Sequence, residues 1–407
     1  MPTRGTEMAR PVDADHEHEF EVLTTETGRK LLDAAAALTS PGPADLERLR
    51  RTASPALVSA ALRLAATRRR ARDKFDRADR MWFEPTGLEQ ATAERVARHK
   101  ARRFAHPDRL VVDLCCGVGG DALALSEVCG RGVIAVDSDP AMLLRTRWNV
   151  AAYGAIERLL PVVARAERFP IPRDAWIHVD PDRRAVRAEG RRARSVDDYA
   201  PGLDFLRVQI QAGRHGALKL SPASDFAAHF DEPELEIELV SQGGECKEAT
   251  IWMGDARTCR RRATVLPSGA TWISHTRPAP GAPLVRDVGR WVFDPDPSLS
   301  RSGLLDDFAR AHQLARFNPG VDFLTHDDSV ESPFLARFEV QAVVPLDFKR
   351  LRRELRARDV GPLVIKTRGV RVRPEDLRAR LGLNGSHPMT LLLAGGDGPA
   401  ARDPRSG

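Results

Sequence analysis

The sequence predicts an α/β protein: a central domain built on a parallel sheet, preceded by a helical domain and followed by a small α+β domain. Three observations support this prediction. Apolar residues recur every three or four positions from Leu31 to Phe104, which is the spacing of amphipathic helices. The stretch VVDLCCGVGGDALALSEVCGRGVIAVDSDP, residues 111–140, passes from an apolar strand through glycines into a helix and a second strand. Near the C-terminus, strand and helix patterns alternate again over shorter lengths.

The length and the changes of pattern predict several domains. A chain of 407 residues exceeds one ordinary hydrophobic core. The Pro/Gly-rich stretch RPAPGAPLVRDVG is typical of a linker between the second and third domains. The predicted boundaries are a polar tail at 1–20, a helical domain at 21–105, an α/β domain at 106–276, an α+β domain at 277–395 and a second tail at 396–407.

Composition excludes some classes of protein. Of all residues, 42% are hydrophobic and 29% are charged, and no run approaches the roughly 18 to 20 apolar residues of a membrane span. The first twenty residues lack the apolar core of a signal peptide, so we expect a cytoplasmic protein without a membrane partner. The five cysteines show neither a CxxC pair nor a His/Cys spacing that suits zinc, and we expect no metal site.

Short motifs justify the elements of the central domain. The apolar runs RLVVDLC, GVIAVDS, AWIHVDP and GALKLSP are separated by helix-length segments, which predicts parallel strands covered by helices. Two later runs, ELEIELVSQGGECKEATIWMG and ATVLPSGATWISH, predict an antiparallel pair at one edge of the sheet. Ahead of the domain, Thr86 and Glu89 have the spacing of a capping box and predict the start of a helix.

The glycine-rich turn predicts a nucleotide-type cofactor, and one acid selects which cofactor. Gly117, Gly119 and Ala122 fit the pattern G-x-G-x-x-G/A, and Asp137 ends the next strand, where a ribose-binding acid belongs. Asp113 lies four positions before Gly117. A carboxylate there would repel the pyrophosphate of a dinucleotide, whereas it attracts the ammonium and sulfonium groups of S-adenosylmethionine. The sequence therefore favours S-adenosylmethionine.

These motifs resemble those of class I S-adenosylmethionine-dependent methyltransferases, whose fold is Rossmann-like. DLCCGVGGD resembles their first motif, VDSDP their second and VDPDRR their fourth. The resemblance implies that Asp113, Gly117 and Gly119 line the methionine half of the cofactor and that Asp137 binds the ribose hydroxyls. It also implies that the two residues at the start of the fourth motif's turn, Asp180 and Pro181, face the target atom.

The flanking segments resemble a bacterial group of methyltransferases that carry a C-terminal THUMP-like domain. The matching stretches are FEPTGLEQATAERVARHKARRF, ahead of the first motif, and PLVIKTRGVRVRPEDLRARLGLNG near the C-terminus. THUMP modules are associated with RNA-modifying enzymes, so this resemblance implies an RNA substrate, most simply tRNA or rRNA.

The sequence departs from the family pattern at two places. Arg165 stands where many relatives carry an acid that contacts adenine, which leaves Glu167 or backbone groups for that contact. The fourth motif, DPDRR, lacks the second proline and the aromatic residue that are usual in amino-group methyltransferases, so the attacked atom stays open. A pyrimidine C5 mechanism needs a nucleophilic cysteine, and no cysteine lies near Asp180 in the sequence.

Clusters of arginine suggest where RNA would bind. The net charge is +6, and a run of arginines begins with Arg183 and Arg184 beside the fourth motif. In the strand VIKTRGVRV, Lys366 and Arg368 share one face, and Gly369 allows a bend before Arg371. Each cluster is read either as a phosphate-binding surface or as a solvated surface.

Several residues are predicted to be structural. Cys115, Cys116 and His178 fit packed positions, while Trp82 and Phe83 fit a hydrophobic staple, with base stacking as the minor alternative. Three functions then remain open. The first is methylation of a purine nitrogen in tRNA or rRNA, the second is methylation of a small molecule or protein, and the third is RNA binding without catalysis.

Overall fold

The structure is a computed structural model that describes residues 14–183, 199–279 and 281–395. These residues form two compact units, which are described separately below. The first contains the residues up to His229 together with Trp252–Ala256. The second contains Phe230–Ile251 and the residues from Arg257 onward.

From Ala14 onward, where the described residues begin, six α-helices precede the sheet of the first unit. Ser54 caps the longest of them by accepting a hydrogen bond from the backbone N–H of Leu57. The first helix begins at Ala14, within the segment 1–20 that the sequence assigned to a tail. The helices are α1 Ala14–Thr24, α2 Glu26–Ala36, α3 Pro43–Arg50, α4 Pro55–Ala71, α5 Pro85–Gln90 and α6 Glu94–Ala101.

The capping box predicted at Thr86 and Glu89 is wrong. The N-cap of helix α5 is Glu84, two residues before Thr86, and the helix starts at Pro85. The Glu84 carboxylate accepts from the N–H of Gly87 at 2.6 Å. Proline suits the first helical position because its missing N–H would be unpaired there in any case. Thr86 therefore already lies inside the first turn of α5.

The first unit contains a parallel sheet with the strand order β3-β2-β1-β4-β7, and α7 and α8 connect its first three strands in sequence. Because parallel strands are buried on both faces, they are continuous apolar runs. The remaining elements of this unit are β1 Val111–Leu114, α7 Gly120–Val128, β2 Val133–Asp137, α8 Pro140–Ala152, β3 Leu159–Val163, β4 Trp176–Val179, β5 Asp182–Arg183, β6 Tyr199–Ala200, α9 Leu203–Gln211, β7 Gly216–Leu220 and α10 Phe226–His229.

The segment between α4 and α5 is joined through α8 to the turn that follows β1. Asn149, on α8, accepts from the backbone N–H of Trp82 at 2.6 Å and donates to the carbonyls of Trp82 and Val118 at 3.0 and 2.9 Å. Trp82 and Phe83 are fully buried. Their rings are thus core residues, which excludes the base-stacking alternative.

The second unit begins with two β-hairpins. In the first hairpin, Gly243 and Gly244 turn the chain with φ values of +63° and +77°, which suit a two-residue hairpin loop. The strands are β8 Glu236–Gln242, β9 Glu245–Met253, β10 Arg261–Leu266 and β11 Ala270–Ser274.

The prediction of one antiparallel pair from these two runs is wrong. Each run folds into two strands, because each contains its own turn. Strand β10 pairs antiparallel with β11 but parallel with β8. The parallel pairing arises because β9 reverses the direction of the chain between β8 and β10. The order of the four strands is β11-β10-β8-β9.

Two smaller sheets complete the second unit. One is antiparallel, with the order β13-β14-β12-β15, and its core includes Phe293, Phe308 and Leu324. The other pairs β16 and β17 in parallel, with Leu351, Leu355 and other apolar residues of α13 and α14 packed against them. The elements are β12 Trp291–Pro295, α11 Pro297–Ser302, α12 Leu305–Ala311, β13 Ala315–Arg316, β14 Leu324–His326, β15 Leu335–Glu339, α13 Phe348–Ala357, β16 Val360–Arg368, α14 Pro374–Leu381 and β17 His387–Ala394.

None of the helices described here is both long enough and apolar enough to cross a membrane.

Glu19 is expected to anchor the N-terminal helices. Its buried carboxylate accepts from the indole N–H of Trp82 at 2.8 Å and lies 3.3 Å from the guanidinium of Arg145, which is also buried. Breaking a buried pair leaves an uncompensated charge, so Glu19→Ala should lower the free energy of unfolding by about 3 kcal/mol in urea titrations.

Glu26→Ala is the matched control. Glu26 pairs with Lys30 at 2.7 Å, but both side chains are about three-quarters exposed, at 77% and 76%. Its loss should cost less than about 1 kcal/mol. Equal destabilisation by the two variants would contradict the anchoring role of Glu19.

Candidate functional site

Four strands of the first unit bring polar side chains to one edge of its sheet. Asp137 is the last residue of β2, Asp180 directly follows β4, and Lys219 is the penultimate residue of β7. Asp113 lies near the end of β1, between the two neighbouring strands. Because ligands of doubly wound sheets bind outside the carboxyl ends of the strands, this edge is the candidate site.

The turn after β1 requires glycine at two positions for different reasons. Gly117 has φ +55°, and an added Cβ would meet no atom within 4 Å, so its face is open to a ligand. Gly119 has φ +86°, and an added Cβ would lie 2.8 Å from the Cγ2 of Thr146 on α8. The hydroxyl of Thr146 donates to the carbonyl of Gly117 at 2.7 Å, which fixes the turn against α8.

Asp113 presents an unsatisfied acceptor beneath this turn. Its Oδ1 lies 2.7 Å from Nδ1 of His178, and both side chains are fully buried. Its Oδ2 is buried and has no hydrogen-bond partner among the residues that the structure describes. A buried carboxylate oxygen without a donor is costly. An ammonium group of a bound ligand would supply such a donor. The contact of Asp113 with the methionine half of S-adenosylmethionine stays a prediction.

Asp137 faces the same turn from the end of β2. Its Oδ2 accepts from the backbone N–H of Gly117 at 2.9 Å, and its Oδ1 accepts from the N–H of Asp139 at 3.0 Å. Burial raises the pKa of Asp137 to about 6, although these two hydrogen bonds oppose the rise. The carboxylate is thus held in place at the position predicted for ribose binding.

Asp180 is paired with a lysine that the sequence analysis did not single out. The Nζ of Lys219 donates to Oδ2 of Asp180 at 2.5 Å. Burial raises the pKa of Asp180, and the positive charge of Lys219 opposes that rise. Pro181 is buried next to it. The sequence signal for Lys219 is a single lysine inside the apolar run GALKL.

Asp121, in the first turn of α7, connects Lys219 to a deeper cluster of charges. It lies 3.0 Å from the Nζ of Lys100 and 3.7 Å from that of Lys219, and it accepts from the hydroxyl of Thr92 at 2.6 Å. Burial would raise the pKa of Asp121, but Lys100, His178 and Lys219 together lower it. Asp121 is therefore ionised at neutral pH. Asp121, like Lys219, was not predicted from the sequence.

The residues predicted to be structural at this edge are buried or nearly so. His178 is fully buried, which confirms its place in the core. Cys116 is buried and Cys115 half-buried, and burial raises the pKa of both thiols. Neither thiol is activated as a nucleophile.

The residues expected near the adenine lie beyond β3. Arg165 and Glu167 are partly exposed and lie 3.6 Å apart. Their geometry does not select one of them, and the adenine contact stays a prediction.

The residues predicted to bind RNA lie in both units. Arg183 ends β5, and Arg184 lies outside the described residues. In the second unit, Lys366 and Arg368 both contact the buried Asp294, at 2.6 and 3.0 Å. Arg371 is exposed. Within the described ranges, no group of three or more His, Cys, Asp or Glu residues is arranged to hold a metal ion.

Three family models match parts of the chain. The model described as "RNA cap guanine-N2 methyltransferase" matches residues 108–185, and the model described as "THUMP domain-like" matches residues 335–403. A domain of unknown function matches residues 17–71. The first of these matches covers the glycine turn and the Asp180 segment.

Relatives in sequence and in structure extend over most of the chain. A crystal structure of a protein from Porphyromonas gingivalis, assigned to the methyltransferases, superimposes with a TM-score of 0.71 at 19% identity and covers 92% of this chain and 95% of its own. It confirms the predicted fold class, a Rossmann-like α/β domain with a helical N-terminal part and a small α+β C-terminal part. Proteins of two Mycobacterium tuberculosis strains, named uncharacterized S-adenosylmethionine-dependent methyltransferases, are 37% identical over 319 residues, covering 76% of this chain and 84% of theirs. Similarity of this extent shows that the chain belongs to the S-adenosylmethionine-dependent methyltransferases.

Proposed function

We propose that this enzyme methylates a purine nitrogen in a structured RNA, tRNA or rRNA, and that the nitrogen is the N2 amino group of guanine. The observation that carries the proposal is the placement of Asp180 beside the glycine turn, with one carboxylate oxygen held by Lys219. The similarity of residues 108–185 to the guanine-N2 methyltransferase model supports the choice of atom.

The residues of the first unit divide the work of binding and proton transfer. When bound, S-adenosylmethionine supplies a methyl group attached to a positively charged sulfur. Asp113 offers its unpaired Oδ2 to the ammonium, Gly117 leaves room for close approach, and Asp137 accepts from ribose hydroxyls. Asp180 accepts a hydrogen bond from the amino group and takes up the proton that the nitrogen loses on methylation.

The RNA part of the proposal rests on unpaired charge in the second unit. Lys366 and Arg368, which the sequence favoured, share the carboxylate of Asp294, and this partly neutralises their charge. Helix α13 instead exposes a basic surface. We call this the α13 surface and define it as Lys349, Arg350 and Arg353, which are exposed and have no ion pair in the part of the chain that the structure describes.

A cavity of about 300 Å³ lies beside the α13 surface. The guanidinium of Arg380 lies 4.7 Å from the centre of the Phe348 ring at the wall of this cavity. Guanidinium groups suit phosphates, and apolar and aromatic walls suit a base, so the cavity fits a single-stranded nucleotide of the substrate. Its lining residues are Leu346, Phe348, Leu351, Arg371, Val372, Arg373, Asp376, Leu377 and Arg380.

Substitution of Asp180 tests the catalytic assignment. Asp180→Asn keeps the size of the side chain but removes the proton acceptor, so kcat for methyl transfer to RNA should fall about 100-fold or more. Cofactor affinity, measured by calorimetry, should not change. Asp174→Asn is the control, since Asp174 is exposed and precedes the same strand. Full activity of Asp180→Asn would contradict the assignment.

Cofactor affinity is expected to weaken in acid because of Asp137. Burial raises the pKa of Asp137 to about 6, so below that pH the free protein carries it protonated. Ribose hydroxyls bind the ionised form better, and affinity should therefore fall by up to about tenfold per pH unit below 6.

Calorimetry between pH 7.5 and pH 5 measures this dependence. Asp137→Asn should bind weakly with a flat pH profile over this range, whereas Asp139→Asn, in the same loop, should retain the fall. An unaltered chain whose affinity stays constant across the range would contradict the ribose role of Asp137.

Charge reversal on the α13 surface tests the RNA contact. Each lost phosphate contact lowers the slope of log affinity against log salt by about 0.7 to 0.9. Arg350→Glu/Arg353→Glu should therefore lower that slope by about one to two and weaken RNA binding. The control is Arg29→Glu/Lys30→Glu, on the exposed face of α2. Equal effects of the two double variants would remove the specific role of the α13 surface.

A further inference from the structure

Lys219 occupies a defined place between two acids of the first unit. Its side chain is only 13% exposed, and its Nζ lies 2.5 Å from Oδ2 of Asp180 and 3.7 Å from Oδ2 of Asp121. None of the three motifs that identified the family contains this lysine. A buried ammonium is costly unless its partners are fixed, so its position calls for a role.

We propose that Lys219 is a positioning residue for the methyl-transfer reaction: it binds one oxygen of Asp180 and thereby directs the other oxygen toward the substrate nitrogen. This inference rests on the proposed function of Asp180 as the proton acceptor. It adds a residue, a geometry and an electrostatic task to that function.

Strand register brings the two side chains together. In the parallel pair of β4 and β7, Val179 lies opposite Leu218, so the next pair along the strands is Asp180 and Lys219. Paired residues on neighbouring strands project from the same face of the sheet. The contact is therefore built into the backbone of the sheet.

The deeper acid fixes the lysine from the other side. Asp121 lies 3.0 Å from Lys100 and accepts from Thr92 at 2.6 Å, so its carboxylate cannot turn away. Lys219 is held between this anchored acid and Asp180. Oδ2 of Asp180 accepts from Lys219, while its Oδ1 has no partner among the described residues, and the side chain is 32% exposed.

The charges around Asp180 shift its pKa in opposite directions. Burial and the negative charge of Asp121 raise the pKa of Asp180, while Lys219 and His178 lower it. Cys115, in the turn after β1, also faces it, but burial keeps that thiol neutral. Lys219 is the closest of these groups. Its removal would leave Asp180 beside Asp121 without the nearest compensating cation.

Methyl transfer forms one bond, breaks another and releases one proton. The bond from nitrogen to the methyl carbon forms as the bond from sulfur to that carbon breaks, and the amino group loses one proton to Oδ1 of Asp180. Lys219 keeps its own protons throughout. It stabilises the carboxylate that must accept the proton, and the proton then passes to solvent.

A carboxyl titration tests the coupling without any substrate. In the full chain labelled with ¹³C at aspartate carboxyls, the Asp180 signal is identified by its absence in Asp180→Asn. Lys219→Met should raise the pKa of Asp180 by about one unit or more, and Lys219→Arg should restore it to near its starting value. Lys247→Met is the control, because Lys247 pairs with Glu245 on an exposed hairpin.

The pH dependence of methyl transfer to RNA supplies the second readout. In Lys219→Met the acidic limb of the pH profile of kcat should shift toward higher pH by the same amount, about one pH unit. Cofactor affinity should stay unchanged. Lys219→Arg should return the profile to its original place. Lys219→Gln, which keeps a donor without the charge, covers the case in which Lys219→Met fails to fold.

The outcomes separate this inference from the proposed function. If the pKa of Asp180 is unchanged in a folded Lys219 variant, the positioning role of Lys219 is overturned. The pKa of Asp180 could instead change in the Lys219 variant while Asp180→Asn keeps full methyl transfer. That result would overturn the catalytic assignment of Asp180, and with it the role of Lys219 in catalysis. A change in the pKa of Asp180 together with a shift of the pH profile of kcat supports both the proposed function of Asp180 and the positioning role of Lys219.

Discussion

The candidate site depends on the buried ion cluster around Asp121. This acid, at the start of α7, is held by Lys100 from α6, by Lys219 from β7 and by the hydroxyl of Thr92. Removing charges from water is costly, and the cost is met only where each charge has close partners. The cluster therefore fixes the relative positions of α6, α7 and β7, and these elements place the groups at the edge of the sheet.

The pKa values of the site acids are shifted in different directions by their surroundings. Asp121 lies among cations, which lower its pKa. Asp137 accepts hydrogen bonds from the backbone N–H groups of Gly117 and Asp139, and burial raises its pKa to about 6. Burial and the negative charge of Asp121 raise the pKa of Asp180, while Lys219 and His178 oppose that rise. Where the surroundings separate the pKa values of neighbouring acids, residues of the same type can take different tasks at one edge of a sheet.

Part of this arrangement could be predicted from the sequence, because its signals are local. The strand, glycine turn and helix over 111–128 form one continuous pattern, and an acid at a strand end lies at the ligand-binding edge wherever the strand pairs. These signals predicted that Asp113, Gly117, Asp137 and Asp180 lie at one edge of the sheet, whereas their roles stay predictions.

The rest required strand register and distant contacts. Lys219 meets Asp180 only through the pairing of β4 with β7, and Lys100 meets Asp121 only because α6 packs on α7. Asp294 partly neutralises two basic residues that lie more than 70 positions away in sequence, at separations of 72 and 74. No local pattern contains such information. The shift of the N-cap from Thr86 to Glu84 is different, because Glu84 and Pro85 lie next to Thr86 in the sequence and favour the earlier start.

The central claim, that the enzyme methylates RNA, is tested most directly with RNA that lacks the modification. Tritiated methyl groups from S-adenosylmethionine would be supplied with the purified enzyme to total RNA from a strain without the gene and to RNA from the parent strain. Our account predicts label in the RNA of the deletion strain and almost none in that of the parent, where the site is already methylated. No label in either RNA, with cofactor binding verified by calorimetry, would contradict it.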